Sequence, residues 1–440
     1  MAATPGELSP GREGNALVTS GACRRAYVTA MLRFALTTLI ALLAGAAPAS
    51  ARPGEETLIG RAILPADASA PAPFPGAPNT EPAPAAGSRQ PVGGFSALLD
   101  APGRDTFYAM PDNGFGSKAN SRSFLLRVYR VRADFETAPH GHDDDDHDER
   151  DAGGGRGGDG SVEILDWITL RDPDRRIGFA IVNEGTTERL LTGGDLDLES
   201  FRIARDGTLW FGEEFGPFLV HTNATGRVLE APIPLPDVKS PDYPPDYPAP
   251  YAGPPNLLSS NGFEGMALSK DGRTLYPALE GPVSGDDPAV RRVYEFDLRT
   301  GRYTETRRSY RVADPSYLVS DLTALDRRRL IALERDNFEG PAARHKRGFV
   351  YDLRTEDKRE VVDLLDLADP ALISLPARPG DFGLGDPFAM PYVTIEAVLP
   401  TGGRRLAIVN DTNFGSRGRN AGLADYSDFI EIEVPGLRRR

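Results

Sequence analysis

Cysteine is nearly missing from this chain: of 440 residues only Cys23 carries a thiol. That scarcity excludes a disulfide framework and a cysteine-ligated zinc site. Histidine is scarce too, with five in all, and neither His221 nor His345 has metal-ligand spacing. Both read as surface or internally satisfied side chains. The chain has no G-x-S-x-G elbow, no P-loop and no H-E-x-x-H, so the common signatures of serine hydrolases, phosphate-cradling loops and zinc peptidases are absent. Ser96 lies beside two glycines in "GGFSAL", but no histidine partner can be named for it.

Positive charge is also in short supply. A formal charge of −14 argues against a nucleic-acid partner, which calls for a basic stripe to neutralise phosphates. Cations are the expected guests. Part of the excess lies in one run, "HDDDDHDERD", followed by "AGGGRGGDGS"; mutual repulsion predicts an extended, disordered loop at about 138–160 rather than a metal tract.

Long apolar runs are missing except for one. "MLRFALTTLIALLAGAAPASA" holds an apolar stretch from Phe34 to about Ala47 and a small-x-small end at Ala49, Ser50 and Ala51. It is too short to span a bilayer and reads as a secretory signal cleaved after Ala51. Residues 1–51 form the signal region, with Met31 as an alternative start, and "CRRAYVT" matches a twin-arginine signal poorly. The expected product is an exported monomer of residues 52–440, periplasmic or secreted, without cysteine and without a transmembrane anchor.

What is present is a repeat. No long helical periodicity runs through the chain; short β-patterned runs alternate with Asp-Gly and Gly-rich turns. One unit recurs as "GFSALLDAPGRDTFYAMPDNG", "DLESFRIARDGTLWFGEEFG", "GFEGMALSKDGRTLYPALEG", "VSDLTALDRRRLIALERDNF" and "TIEAVLPTGGRRLAIVNDTNFG". The third copy continues through "RRVYEFDL" and "YTETRRSYRV" to make four strands, the composition of a propeller blade. The expected fold is an all-β single propeller of four-stranded antiparallel blades. Five are countable, and the long interval from Phe95 to Leu198 leaves room for a sixth. The last copy lacks an outer strand, and "TLIGRAILP" near the start of the mature chain is a strand without a partner. Pairing the two would close the ring and remove an exposed edge.

The repeat also places acids. Each first strand begins at Ser96, Glu199, Glu264, Asp321 or Glu396, and each second strand ends near Asp112, Glu214, Glu280, Asp336 or Asp411. In an antiparallel pair the start of one strand lies beside the end of the next, so these side chains should ring the channel mouth. Carboxylates at that density require compensation, and a hard cation with oxygen ligands supplies it. Calcium suits a loose ring, and magnesium is the alternative. "PDNGFGSKAN" and "NDTNFGSRGRN" would meet across the closing seam, bringing Asp112 and Asn113 to Asp411 and Asn413. Lys118 and Arg417 follow those acids by six residues, and Arg335 lies at the fourth copy. Against this stands a simpler use of single acids, capping turn backbone at strand ends. Phe115, Phe215, Phe338 and Phe414 are expected to pack between blades.

The stretches "PVGGFSALLDAPGRDTFYAMPDNG", "LESFRIARDGTLWFGEEFGPFLVHTNATGRVL", "NGFEGMALSKDGRTLYPALEGP" and "RLAIVNDTNFG" resemble the bacterial phytase-like domain proteins, the family of "esterase-like activity of phytase". The likeness covers most of Pro91 to Pro435 and implies an exported propeller that hydrolyses phosphoric or carboxylic esters. Ser96, where the other copies carry an acid, departs from the pattern. The leading expectation is a calcium-dependent hydrolase of a small anionic phosphate ester. The catalytic set would be Glu264, Glu396, Asp411, Lys118, Arg335 and Arg417, and the repeat acids would be the metal ligands. A calcium-dependent lactonase or carboxyl esterase, and a non-catalytic binding propeller locked by calcium, are the alternatives.

Overall fold

The computed structural model describes residues 55–72, 89–138 and 157–438. The segment expected to be a signal and most of the expected acidic loop lie outside the described residues. Strand β1 (Thr57–Leu64) is followed by a small hairpin of β2 (Ser69–Pro71) and β3 (Arg89–Pro91). The first blade is β4 (Phe95–Asp100), β5 (Thr106–Pro111), β6 (Arg127–Asp134) and β7 (Ser161–Thr169). The second is β8 (Leu198–Ile203), β9 (Leu209–Glu213), β10 (Phe218–Thr222) and β11 (Ile233–Pro234). The third runs through β12 (Phe263–Leu268), β13 (Thr274–Leu279), β14 (Val290–Asp297) and β15 (Arg302–Arg311). The fourth comprises β16 (Leu318–Ala324), β17 (Arg329–Arg335), β18 (Lys346–Asp352) and β19 (Lys358–Asp363). The fifth has β20 (Thr394–Gly402), β21 (Arg405–Asp411) and β22 (Ser427–Glu433), and its outer strand is β1.

Five blades therefore close into one propeller, with the first strand of the fold completing the last blade. Within the described residues, the interval between β7 and β8 folds as turns with isolated bridges and forms no sixth blade. The inner strands β4, β8, β12, β16 and β20 neighbour one another in a ring. Buried aliphatic and aromatic side chains fill the spaces between successive blades. Leu198, Phe201 and Phe211 pack with Ala97 and Met110 between the first two blades, and Ile395, Val398 and Ile408 pack with Ile331 and Leu333 between the last two.

Closure is secured by buried charge as well as by the β1–β22 ladder, which pairs Leu64 with Ser427 and Arg61 with Ile430. From β1, Arg61 donates through Nε and Nη2 to both oxygens of Asp428, at 2.9 and 3.2 Å. Arg419 donates to the same carboxylate at 3.0 Å, and the Tyr392 hydroxyl does so at 2.9 Å. Burial opposes ionisation of Asp428, but the two guanidinium groups outweigh it and hold its pKa below the ordinary carboxylate value.

The channel is bolted from within. Arg202, on the inner strand of the second blade, reaches the fourth blade and donates to Asp321 Oδ1 at 3.3 Å, Leu322 O at 2.6 Å and Thr323 Oγ1 at 2.8 Å. The other Asp321 oxygen accepts the Val398 N–H of the fifth blade at 2.9 Å. One ion pair thus ties three inner strands together.

Candidate metal centre at the channel mouth

The acids reach the channel mouth through a repeated irregularity in the ladder. Every inner strand carries a register shift near its start, between Phe95 and Ala97, Leu198 and Ser200, Phe263 and Gly265, Val319 and Asp321, and Ile395 and Ala397. A bulge inserts one unpaired residue and re-aims its side chain. The residues so placed are Ser96, Glu199, Glu264, Ser320 and Glu396. The paired residue just before each bulge faces Pro111, Glu213, Leu279, Glu334 or Asn410. The next position along the second strand is then Asp112, Glu214, Glu280, Arg335 or Asp411.

This register corrects the sequence expectation in the fourth blade. Ser320, not Asp321, occupies the bulge, and its hydroxyl donates to Ile395 O at 2.7 Å. Asp321 belongs to the bolt with Arg202. Arg335, not Asp336, holds the ring position at the strand end. Asp336 accepts the backbone N–H groups of Phe338, Arg344 and His345 at 2.7–3.2 Å and the Lys346 ammonium at 2.8 Å, so it shapes a turn. Burial opposes its ionisation, but Lys346 and these N–H groups keep its pKa low. Where carboxylates were expected throughout the fourth blade, the ring receives one hydroxyl and one guanidinium.

Arg335 Nη2 lies 2.7 Å from Glu280, 3.4 Å from Glu396 and 3.9 Å from Glu264. Ser96, the non-acidic bulge residue of the first blade, donates to Glu396 at 3.1 Å. Across the seam Asp411 accepts the Asn413 N–H at 2.9 Å and the Thr394 hydroxyl at 3.1 Å. Gly94, at φ +64°, makes room for it, because a Cβ there would stand 2.7 Å from Asp411 Oδ1. The two similar segments meet at this seam through aromatic edges, with Phe115, Phe124 and Phe414 in mutual contact at centroid distances of 5.4–5.7 Å.

Asp197 was not singled out from the sequence. Its loop is fixed by Glu213, whose carboxylate accepts the N–H groups of Asp197, Phe215 and Gly216 at 2.8–3.2 Å. Asp197 then joins Asp112 and Glu199 in one cluster, and Glu199 joins Glu214 and Glu264 in a second; within each, carboxylate oxygens come within 4.8 Å of one another. Burial, reinforced by neighbouring carboxylates, drives the pKa values of Asp112, Glu199, Glu214 and Glu264 well above the ordinary value. Burial raises Asp197 to about 6, and burial with the Asp411 charge raises Glu396 to about 8. Asp197 Oδ1 and Glu214 Oε1 are buried and have no hydrogen-bond partner. Such oxygens are costly unless something cationic meets them, and the donor set suits a hard metal ion.

Of the remaining expected residues, Lys118 stands beside the cluster, 4.3 Å above the Phe215 ring, and donates to Asp242 O at 2.6 Å. Asp242 belongs to a Pro/Tyr-rich segment at residues 241–255, "PDYPPDYPAPYAGPP", whose Tyr243 and Tyr247 pack on Phe218. Arg417 is exposed, and its backbone N–H donates to Glu339 at 3.1 Å; it is not among the ion pairs of the ring. Phe338 is exposed at 58%, whereas Phe215 is buried. His221 stacks on Trp210 and pairs Nδ1 with Glu230 at 2.7 Å while its Nε2 is buried without a partner, and His345 stacks on Tyr317 and contacts Glu334 at 3.4 Å. A cavity of about 640 Å³ lies elsewhere, lined by residues of β1, β6 and β22 such as Ile59, Arg132 and Glu433. It contains none of the ring acids.

Fold and site together define a five-bladed propeller whose channel mouth is built from buried carboxylates around a single arginine. The chain belongs to the phytase-like family described as "Esterase-like activity of phytase", whose sequence profile matches residues 90–414. An "Uncharacterized secreted protein" of Arthroderma benhamiae is 31% identical over 132 residues, a match covering 25% of this chain and 26% of the relative. Only about a quarter of that relative's length is therefore spanned. Among solved structures, the periplasmic gluconolactonase of Pseudomonas aeruginosa is 15% identical with a TM-score of 0.34, covering 87% of this chain and 99% of the other. A luciferin-regenerating enzyme is 11% identical with a TM-score of 0.34 and 78% coverage of both chains. Likeness at that level carries no argument about chemistry, and the fold rests on the strand pairings.

Proposed function

We propose that this protein is an exported hydrolase of small anionic phosphate esters, dependent on a divalent metal, with calcium as the metal that best suits the ring. The observation that carries this reading is the set of buried ring carboxylates, two of which present unpartnered oxygens. Asp112, Asp197, Glu199, Glu214 and Glu264 supply oxygen donors of the kind calcium takes in flexible geometry. A bound divalent ion would polarise a phosphoryl oxygen and acidify a water. The chain's own contribution is positional. Arg335, fixed by Glu280 and Glu396, presents a permanent cation toward non-bridging oxygens, and Lys118 adds charge at the rim. Family membership supports ester hydrolysis as the class of reaction. Export is supported by the leader-like segment and by the relative described as secreted; among the described residues no helix is long and apolar enough to cross a membrane.

The family description favours a second reading, hydrolysis of carboxylic esters or lactones at the same centre. One panel separates the two: phosphate esters including phytate, aryl esters and lactones, each with calcium and with chelator. Calcium-dependent phosphate release is the expected result. Turnover confined to carboxylic esters would replace the phosphate reading with the esterase one. A folded protein silent on every substrate would overturn both and leave a binding propeller.

A further inference from the structure

The ring is not symmetrical in how its carboxylates are satisfied. From the second strand of the third blade round to the fifth each acid has a protein partner. Glu280 accepts from Arg335 at 2.7 Å and Asn261 at 3.1 Å, Glu396 accepts from Ser96 at 3.1 Å and Arg335 at 3.4 Å, and Asp411 accepts from Asn413 and Thr394. On the side of the first two blades the partners thin out. Asp112 accepts one backbone N–H, from Gly114 at 2.7 Å, while Asp197 Oδ1 and Glu214 Oε1 have no partner although both residues are only 3% exposed. Glu264 stands at the border, 3.9 Å from Arg335.

We infer that the ring divides its charge compensation between two cations: a resident one, Arg335, serving Glu280 and Glu396, and a single divalent ion centred on Glu199, where the groups Asp112–Asp197–Glu199 and Glu199–Glu214–Glu264 overlap. Glu199 is the pivot, because it belongs to both groups of converging oxygens. The fourth blade is then the reason the ring takes one metal ion and not two. Its bulge carries Ser320 in place of an acid, and its strand end carries a guanidinium that fills the second cation's place with fixed geometry. Nothing in the register forbids an acid there, since the equivalent positions of the second and third blades both carry one. Besides its place at the substrate, Arg335 therefore sets how many metal ions bind and on which side.

This inference rests on the reading that the ring holds a divalent cation, but its test needs no ester. Calcium chloride is titrated calorimetrically into the full chain after chelator treatment, with circular dichroism as the check on folding. The wild-type protein is expected to bind one equivalent. Glu199→Gln should weaken binding at least 100-fold and Asp197→Asn at least tenfold, while Glu280→Gln and Glu396→Gln stay within about threefold of wild type. Arg335→Gln should expose a second, weaker equivalent, and Glu199→Asp should keep one equivalent at reduced affinity. Equal losses from Glu396→Gln and Glu199→Gln would overturn the division, as would two equivalents in the wild type, none, or unchanged stoichiometry in Arg335→Gln. If this binding pattern holds and no phosphate is released from any ester, the proposed activity falls while the division of the ring stands.

Discussion

Two buried charge clusters in this propeller solve opposite problems. At the closing seam a single carboxylate, Asp428, receives two guanidinium groups and a tyrosine hydroxyl, and its pKa falls despite complete burial. At the channel mouth many carboxylates share one guanidinium, and their pKa values rise. The first cluster is complete with protein groups alone and acts as a fastener. The second is left short of positive charge, and a fold that carries such a deficit gains stability from whatever cation fills it. Burial of charge is common to both. Completeness is what separates them.

The comparison can be broken most severely at the seam. Asp428→Asn would leave Arg61 and Arg419 without their shared counter-ion and should cost about 3–5 kcal/mol, the scale for removing one partner of a buried pair, read as a drop in the urea midpoint. An effect within 1 kcal/mol would show that the strand ladder alone holds the ring closed. Next in size is calcium itself. At about 100 times its Kd it should add about 2.7 kcal/mol to unfolding stability, and chelator should remove that gain in a thermal melt. Glu214→Gln should reverse sign between conditions: without calcium it relieves repulsion and raises stability by about 1–2 kcal/mol, whereas with calcium it forfeits the metal's contribution. Stability that falls in both conditions would mean Glu214 is structural.

Acid sharpens the contrast further. Asp428 and Glu334 both have depressed pKa values: burial works against each, but Arg61 and Arg419 outweigh it for Asp428, and His345, Lys358 and Tyr310 for Glu334. A depressed carboxylate contributes stability that is present above its unfolded pKa, about 4, and is lost as pH falls through the folded value. Stability should therefore decline below about pH 4, and Asp428→Asn should flatten part of that decline. The smallest expected effect is Lys118→Ala, which should raise KM for an anionic ester about two- to fivefold and weaken its salt dependence, as rim charges do.

How much of this was legible in the sequence depends on what each residue touches. The blades, their number among the countable copies, and closure by the N-terminal strand follow from local patterns of strand and turn. The acids of the second, third and fifth blades were found because repeat position and chemistry coincide in them. In the fourth blade they part company. Asp321 and Asp336 each stand one residue beyond the ring position, and matching acid to acid shifted the copy. Matching the buried apolar residue before the bulge, Val319 with Phe95, Leu198, Phe263 and Ile395, would have given Ser320 and Arg335. Asp197 opens the second copy of the repeat, two residues before Glu199, but the corresponding positions of the other copies are Gly94, Gly262, Leu318 and Thr394, so no periodicity points to it. Arg202 finds Asp321 across the channel at a separation of 119 residues, a distance local pattern does not reach.

The fastener also fixes when the molecule can become whole. Arg61 and Asp428 are 367 residues apart in sequence, so the last blade has no outer strand until nearly the entire chain has been synthesised. The four preceding blades can form in order as the polypeptide emerges, but the ring must wait for its own end to come back to its beginning. A partly emerged chain would hold β1 on the first blade through the backbone bonds of Arg61 with Glu136 and of Ile63 with Gly160, with its other edge open until β22 is made, and final closure, a contact of very high sequence separation, is the step expected to be slow.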